Sequence, residues 1–161
     1  MSVTGKFGKW CRERGGDFQK RGIRASCTLK NPISLRDVNS FLTFIDKNRD
    51  DLLLTRRYEI CIEHYEKLPL PRVKYRTICY DSIDDEIYVH THSFGEPLEE
   101  LLKFVDVEKF KRNINLRLDI YVNPEEKEWS HACLDSEISY TEAKQNPKKL
   151  HTILKTTRIL D

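Results

Sequence analysis

Two histidines one residue apart, His90-Thr91-His92, are the strongest chemical feature of this 161-residue chain. On an extended strand, positions two apart share a face, so both imidazoles can point at one metal ion with Cys79 or Cys61 of a neighbouring strand. A structural zinc site usually shows two ligand pairs, and the only other candidate pair is His131 with Cys133. The pattern therefore favours two histidines on the solvent side of a sheet, with no metal and no cofactor. Doubled His-x-Thr motifs serve phosphoesterases as a symmetric acid and base, but a single copy stands here.

Other spacings offer less to catalysis. Five cysteines and five histidines carry no local signature that selects a nucleophile. None of the six glycines forms a phosphate-binding loop. The carboxylate pairs Asp84-Asp85 and Glu99-Glu100 are adjacent, as in a turn and a solvated helix face. A non-enzyme is expected, with no catalytic residue to name.

Charge is more informative. The net charge of +2 conceals segregation: residues 1–30 hold eight basic against two acidic groups, and residues 81–110 hold two basic against nine acidic. The basic end includes Lys6, Lys9, Arg12, Arg14, Lys20 and Arg21, with Phe7 and Trp10 set among them. Ends of opposite sign can attract each other between copies, or recruit different partners. The aromatic rings can enter a lipid interface, stack on bases or dock on a neighbouring subunit. Residues 1–20 show only Phe7, Trp10 and Phe18 as isolated apolar groups, which predicts a flexible basic arm ahead of a single globular domain over 21–161.

The five cysteines, Cys11, Cys27, Cys61, Cys79 and Cys133, have no CxxC spacing, and no leader-like apolar stretch opens the chain. They read as free thiols of a reducing compartment, the cytosol or a virion assembled from it. With a mean hydropathy of −0.63 and no apolar run of membrane-spanning length, any membrane contact is expected to be peripheral.

Periodicity supplies the elements that must position these groups. Ile23, Ala25, Cys27 and Leu29 alternate with polar residues as in a half-buried strand. Ser34 and Asp37 form a capping box ahead of Leu35, Val38, Phe41, Leu42 and Ile45, which predicts a helix over 35–47 stopped by the polar run 47–51. Residues 52–65 satisfy both periods, and the β-branched and aromatic centre favours a strand. Residues 73–80 and 86–92 make a hairpin around an acidic turn. Pro97 opens a helix carrying Leu98, Leu101, Leu102 and Val105. Residues 113–122 alternate strictly, 129–140 are mixed, and 148–160 suit helix or strand. The sum is an α+β domain, a small antiparallel β-sheet packed against two or three helices.

In series these elements resemble the globular domain of rhabdovirus matrix proteins. A basic arm leads into a strand, a Pro-containing turn and a helix, in Arg24-Ala-Ser-Cys-Thr-Leu-Lys-Asn-Pro-Ile-Ser-Leu-Arg-Asp-Val-Asn-Ser-Phe41. The second stretch is Val107-Glu-Lys-Phe-Lys-Arg-Asn-Ile-Asn-Leu-Arg-Leu-Asp-Ile-Tyr-Val122, an aromatic and basic lead-in, a long strand and then the acidic Glu125-Glu126. The resemblance spans residues 20–130, and the absence of PPxY and PTAP motifs suits a plant-infecting member better than an animal-infecting one.

The resemblance implies a viral matrix protein that self-associates, condenses the viral nucleocapsid and binds the inner membrane surface. It would reside in the virion and, peripherally on membranes, in host cytoplasm. Lys6, Phe7, Lys9, Trp10, Arg12, Arg14, Lys20 and Arg21 are the expected contacts to an anionic membrane surface or nucleocapsid. The acidic Asp84, Asp85, Glu86, Glu99 and Glu100 are the expected self-association surface. The alternative is an RNA-binding module such as a viral silencing suppressor, with RNA held by the same basic groups.

Overall fold

The computed structural model describes residues 2–67, 73–96, 116–122 and 130–160. Among these, seven strands form one sheet and four helices accompany it, an α+β architecture. In chain order they are α1 (Val3–Glu13), β1 (Asp17–Arg21), β2 (Arg24–Thr28), α2 (Leu35–Thr55), β3 (Glu59–Lys67), β4 (Val73–Asp81), β5 (Glu86–Glu96), β6 (Leu116–Val122), β7 (Ser130–Ser139), α3 (Tyr140–Gln145) and α4 (Pro147–Thr156). The sheet order is β1-β2-β3-β4-β5-β7-β6. All neighbours are antiparallel except β2 and β3, which run parallel because α2 carries the chain back across the sheet.

The expected flexible arm is instead α1 followed by β1. Val3, Phe7, Trp10 and Cys11 fall at helical spacing on one side of α1 and are all buried. Phe7 packs among Trp10, Phe18, Phe41 and Phe44, with ring centroids 5.3 to 6.1 Å away. Burying each such side chain contributes about 1.5–3 kcal/mol, and beyond Trp10 and Phe18 of the same segment the partners that do so come from α2. Gly8 lies mid-helix, where a Cβ would sit 3.3 Å from the Phe18 ring. Gly15, at φ +71°, ends the helix in a Schellman turn, with Gly15 N–H donating to Arg12 O and Gly16 N–H to Cys11 O.

The free-thiol expectation is also corrected. Cys11 bonds Cys27, tying α1 to β2, and Cys61 bonds Cys79, directly opposite it across β3 and β4. Cys133 alone is free. The chain scatters these residues, but register brings them together, and disulfides of this kind form in oxidising settings. The argument for a reducing compartment thereby loses its premise.

The predicted β2 alternation is present: Ala25 and Cys27 are buried, and Arg24, Ser26 and Thr28 half-buried. The Ser34–Asp37 capping box is reciprocal, as expected. The helix it opens runs on through the polar 47–51 to Thr55, however. Those residues lie largely on its wet face, while Asn48 donates to Phe44 O at 2.8 Å and Leu52 is fully buried. Arg56, left-handed at φ 46°, ends it. The strand expected across 52–65 accordingly begins only at Glu59.

The hairpin over 73–80 and 86–92 forms as β4 and β5. The mixed segment 129–140 supplies β7, and 148–160 folds largely as α4, capped by Asn146 and burying Leu150, Ile153 and Leu154. The helix expected from Pro97, with Leu98, Leu101, Leu102 and Val105, lies outside the described residues, as does the start of the 113–122 strand.

Helix residues Phe7, Phe41, Ile45, Ile153 and Leu154 join Ala25, Ile60, Ile62, Ile78, Tyr80, Ile87, Val89 and Ile138 in one core. The described helices therefore cover one face of the sheet, and the alternate residues of every strand make the other.

Candidate functional site

That second face is polar and cross-linked. Glu63, nearly buried, accepts from Thr28 Oγ1 at 2.9 Å and from the Tyr75 hydroxyl at 2.6 Å. Arg24 donates to the same Tyr75 oxygen at 3.0 Å and to Glu59 at 3.4 Å. The Tyr65 and Tyr75 rings lie 4.6 Å apart, tilted by 31°, and Arg21, Arg24, Thr28, Glu63 and both tyrosines line a groove of about 450 Å³. Burial, then the Glu63 carboxylate, holds the Tyr75 phenol well above its ordinary value, so it stays a donor.

His90 and His92 lie on the same face, as the i, i+2 spacing requires. The cysteines expected beside them do not serve, because Cys61 and Cys79 are bonded to each other. The neighbour is Cys133, opposite His92 in the β5–β7 register. One ring nitrogen from each histidine and Cys133 Sγ all lie within 4.8 Å of one another. Asp135, opposite His90, hydrogen-bonds its Nδ1. A carboxylate accepts, so a neutral imidazole in this bond carries its proton on Nδ1 and its lone pair on Nε2. The alternation of Cys133 with Asp135 was the available signal, masked by the mixed character of 129–140.

A Cys-His-Asp set also evokes nucleophilic catalysis. Two facts oppose it. Burial, then the Asp135 and Asp119 charges, raises the Cys133 thiol, where a nucleophile needs it lowered. Around His90, His92 and Cys133, β5 and β7 are also paired on both sides, so their backbone N–H groups there are engaged in ladders and are not offered to an oxyanion.

The described part of this face is acidic. Among the described side chains, Asp17, Glu59, Glu63, Asp81, Glu86, Asp119, Asp135 and Glu137 share it with Arg21, Arg24 and Arg117. The basic groups of α1 lie on the other side of the sheet. Lys6, Lys9 and Arg12 are exposed there, while Phe7 and Trp10, expected to reach outward, are in the core. Arg14 is held over the Trp10 ring at 4.0 Å, and Lys20 lies over Tyr58 at 5.4 Å. Lys20 and Arg21 also place charge on edge strand β1, which discourages strand addition there.

Of the expected acidic contacts, Asp84 is exposed, Glu86 half-buried, and Glu99 and Glu100 lie outside the described residues. Asp85 is committed internally and is not a docking group. It accepts from Arg49 through both carboxylate oxygens and from the buried Tyr80 hydroxyl at 2.6 Å, and Arg49 lies over Tyr140 at 4.5 Å. Asp85→Asn is expected to cost about 2–3 kcal/mol in urea unfolding, since Arg49 and the buried Tyr80 hydroxyl then face a neutral amide.

The Arg49 hydrogen bond, opposed by burial, holds the Asp85 carboxyl below its ordinary 3.8. A depressed carboxyl stabilises the fold fully above the unfolded value, and the benefit is lost as pH falls through the folded one. Wild-type stability should therefore drop below about pH 4, and the Asn variant should show a shallower acid limb.

No helix among the described residues is long and apolar enough to cross a membrane. Comparison with protein-family models, with curated proteins and with solved structures found no match.

Proposed function

We propose that this is a non-enzymatic assembly protein of the viral-matrix kind, which binds an anionic surface through α1 and its own copies through the acidic sheet face. The observation that carries the reading is the disposition of charge: basic α1 on one side of the sheet, and eight carboxylates against three guanidinium groups on the other. Contact between unlike faces is heterologous, and heterologous contacts propagate into open arrays. The anionic partner would be an inner membrane surface or a nucleocapsid, met by a fixed helix and not by an inserting arm.

Deleting residues 1–20 would remove Phe7, Trp10 and Cys11 from the core, so charge neutralisation is the sound test. In Lys6→Gln/Lys9→Gln, each lost charge removes about 1 kcal/mol of attraction to anionic vesicles, roughly 30-fold for the pair at low salt. Flotation should fall accordingly with an unchanged melting temperature, and wild-type flotation should weaken at high salt. Equal flotation of variant and wild type would remove α1 as the anchor.

An RNA-binding reading has one specific support. Tyr65, 51% exposed and packed against Tyr75 beside Arg24, offers a ring on which a base can stack. The carboxylates around it repel phosphates. Salt-sensitive RNA binding that Tyr65→Ala abolishes, without vesicle flotation, would favour this reading.

A further inference from the structure

We propose that His90, His92 and Cys133 bind one divalent transition-metal ion of the zinc class on the polar sheet face, with Asp135 positioning His90. The ligand atoms already lie within 4.8 Å of one another. A tetrahedral ion with nitrogen and sulfur ligands holds them about 3.3–3.6 Å apart, so a small rotation of three side chains closes the site.

The register makes this economical. His90 and His92 come from one strand by alternation, and Cys133 stands directly opposite His92 on β7. Both strands are interior to the sheet, so their spacing is fixed by ladders on either side.

Asp135 is the second and independent observation. A metal-bound imidazole characteristically donates its other N–H to a carboxylate, which fixes the tautomer and turns the free nitrogen toward the ion. Asp135 makes that bond to Nδ1 of His90. Asp119, opposite Cys133 on β6, adds negative potential on the same face.

Two imidazoles and a thiolate select zinc, cobalt or copper over calcium or magnesium, which prefer oxygen. Three protein ligands leave a fourth position for water or a partner's side chain. The ion would also tie β5 to β7 through side chains as well as backbone.

The test is Co²⁺ titration of the untagged full chain, followed by displacement with Zn²⁺. One equivalent of Co²⁺ should give the intense visible bands of a tetrahedral site together with a thiolate-to-cobalt charge-transfer band in the near ultraviolet. Zn²⁺ should abolish both. Cys133→Ser should lose the charge-transfer band, and His92→Gln should lose the tetrahedral bands. Asp135→Asn should weaken binding about 10–100-fold while keeping the spectrum.

A folded wild-type protein, confirmed by near-ultraviolet circular dichroism, that gives no thiolate band would overturn the proposal whatever the variants do. So would stoichiometric binding unaffected by Cys133→Ser, which would place the ion elsewhere, for instance on Asp81, Asp84 and Glu86.

Discussion

Phe7→Ala is expected to cost about 3–5 kcal/mol of folding stability, the range for removing a large aromatic from a packed core. Phe7 is fully buried and touches rings from its own helix, from β1 and from α2. Its loss opens a cavity that Trp10, Phe41 and Phe44 cannot refill without leaving one another. Because these rings share partners, a Phe7→Ala/Trp10→Ala double variant should fall short of the sum of the single effects. Urea midpoints at constant slope give the measurement. A shift below about 0.5 kcal/mol, the range of ordinary surface substitutions, would mean that α1 does not pack and that residues 1–20 form the arm their composition suggests.

Reduction should be comparably costly. The two disulfides close loops with sequence separations of 16 and 18 residues. Loop-closure entropy assigns roughly 3 kcal/mol to each, against a total stability of about 5–15 kcal/mol for an ordinary domain. Breaking both should leave the fold marginal, with a large fall in melting temperature on adding reductant. Thiol titration in denaturant without reductant should find Cys133 alone, and all five cysteines after reduction. Five reactive thiols before reduction in protein purified under oxidising conditions would count against both pairings.

The two outcomes are linked through Cys11. It sits on the same buried side of α1 as Phe7 and Trp10, and its bond to Cys27 anchors that helix to β2. If reduction releases α1, the basic side chains of Lys6, Lys9 and Arg12 lose their fixed geometry and the rings of Phe7 and Trp10 are freed. Vesicle binding should then change character, from salt-sensitive to partly apolar and salt-resistant. Flotation with and without reductant at high salt would read this directly.

What residue order alone determined were the features enforced within a few positions along the chain. The β2 alternation, the Ser34–Asp37 capping box and the β4–β5 hairpin were legible because side-chain period, cap and turn are local. The α+β class followed from them. The shared face of His90 and His92 was equally local, a consequence of strand geometry.

Where the sequence misled, the deciding contacts came from far along the chain. Residues 3–13 lack the apolar content to fold alone, and only Phe18, Phe41 and Phe44 make a helix there worthwhile. The polar run 47–51 stopped nothing, since Leu52 still had a core to reach. Cys27 had no visible partner until α1 lay across β2, and Cys61 and Cys79 met only through the β3–β4 register. The same held for Cys133 and Asp135, placed against the histidines by a strand pairing more than forty residues distant in the chain. Spacing can put two groups on one face of a strand, but only the sheet's register decides what stands opposite them.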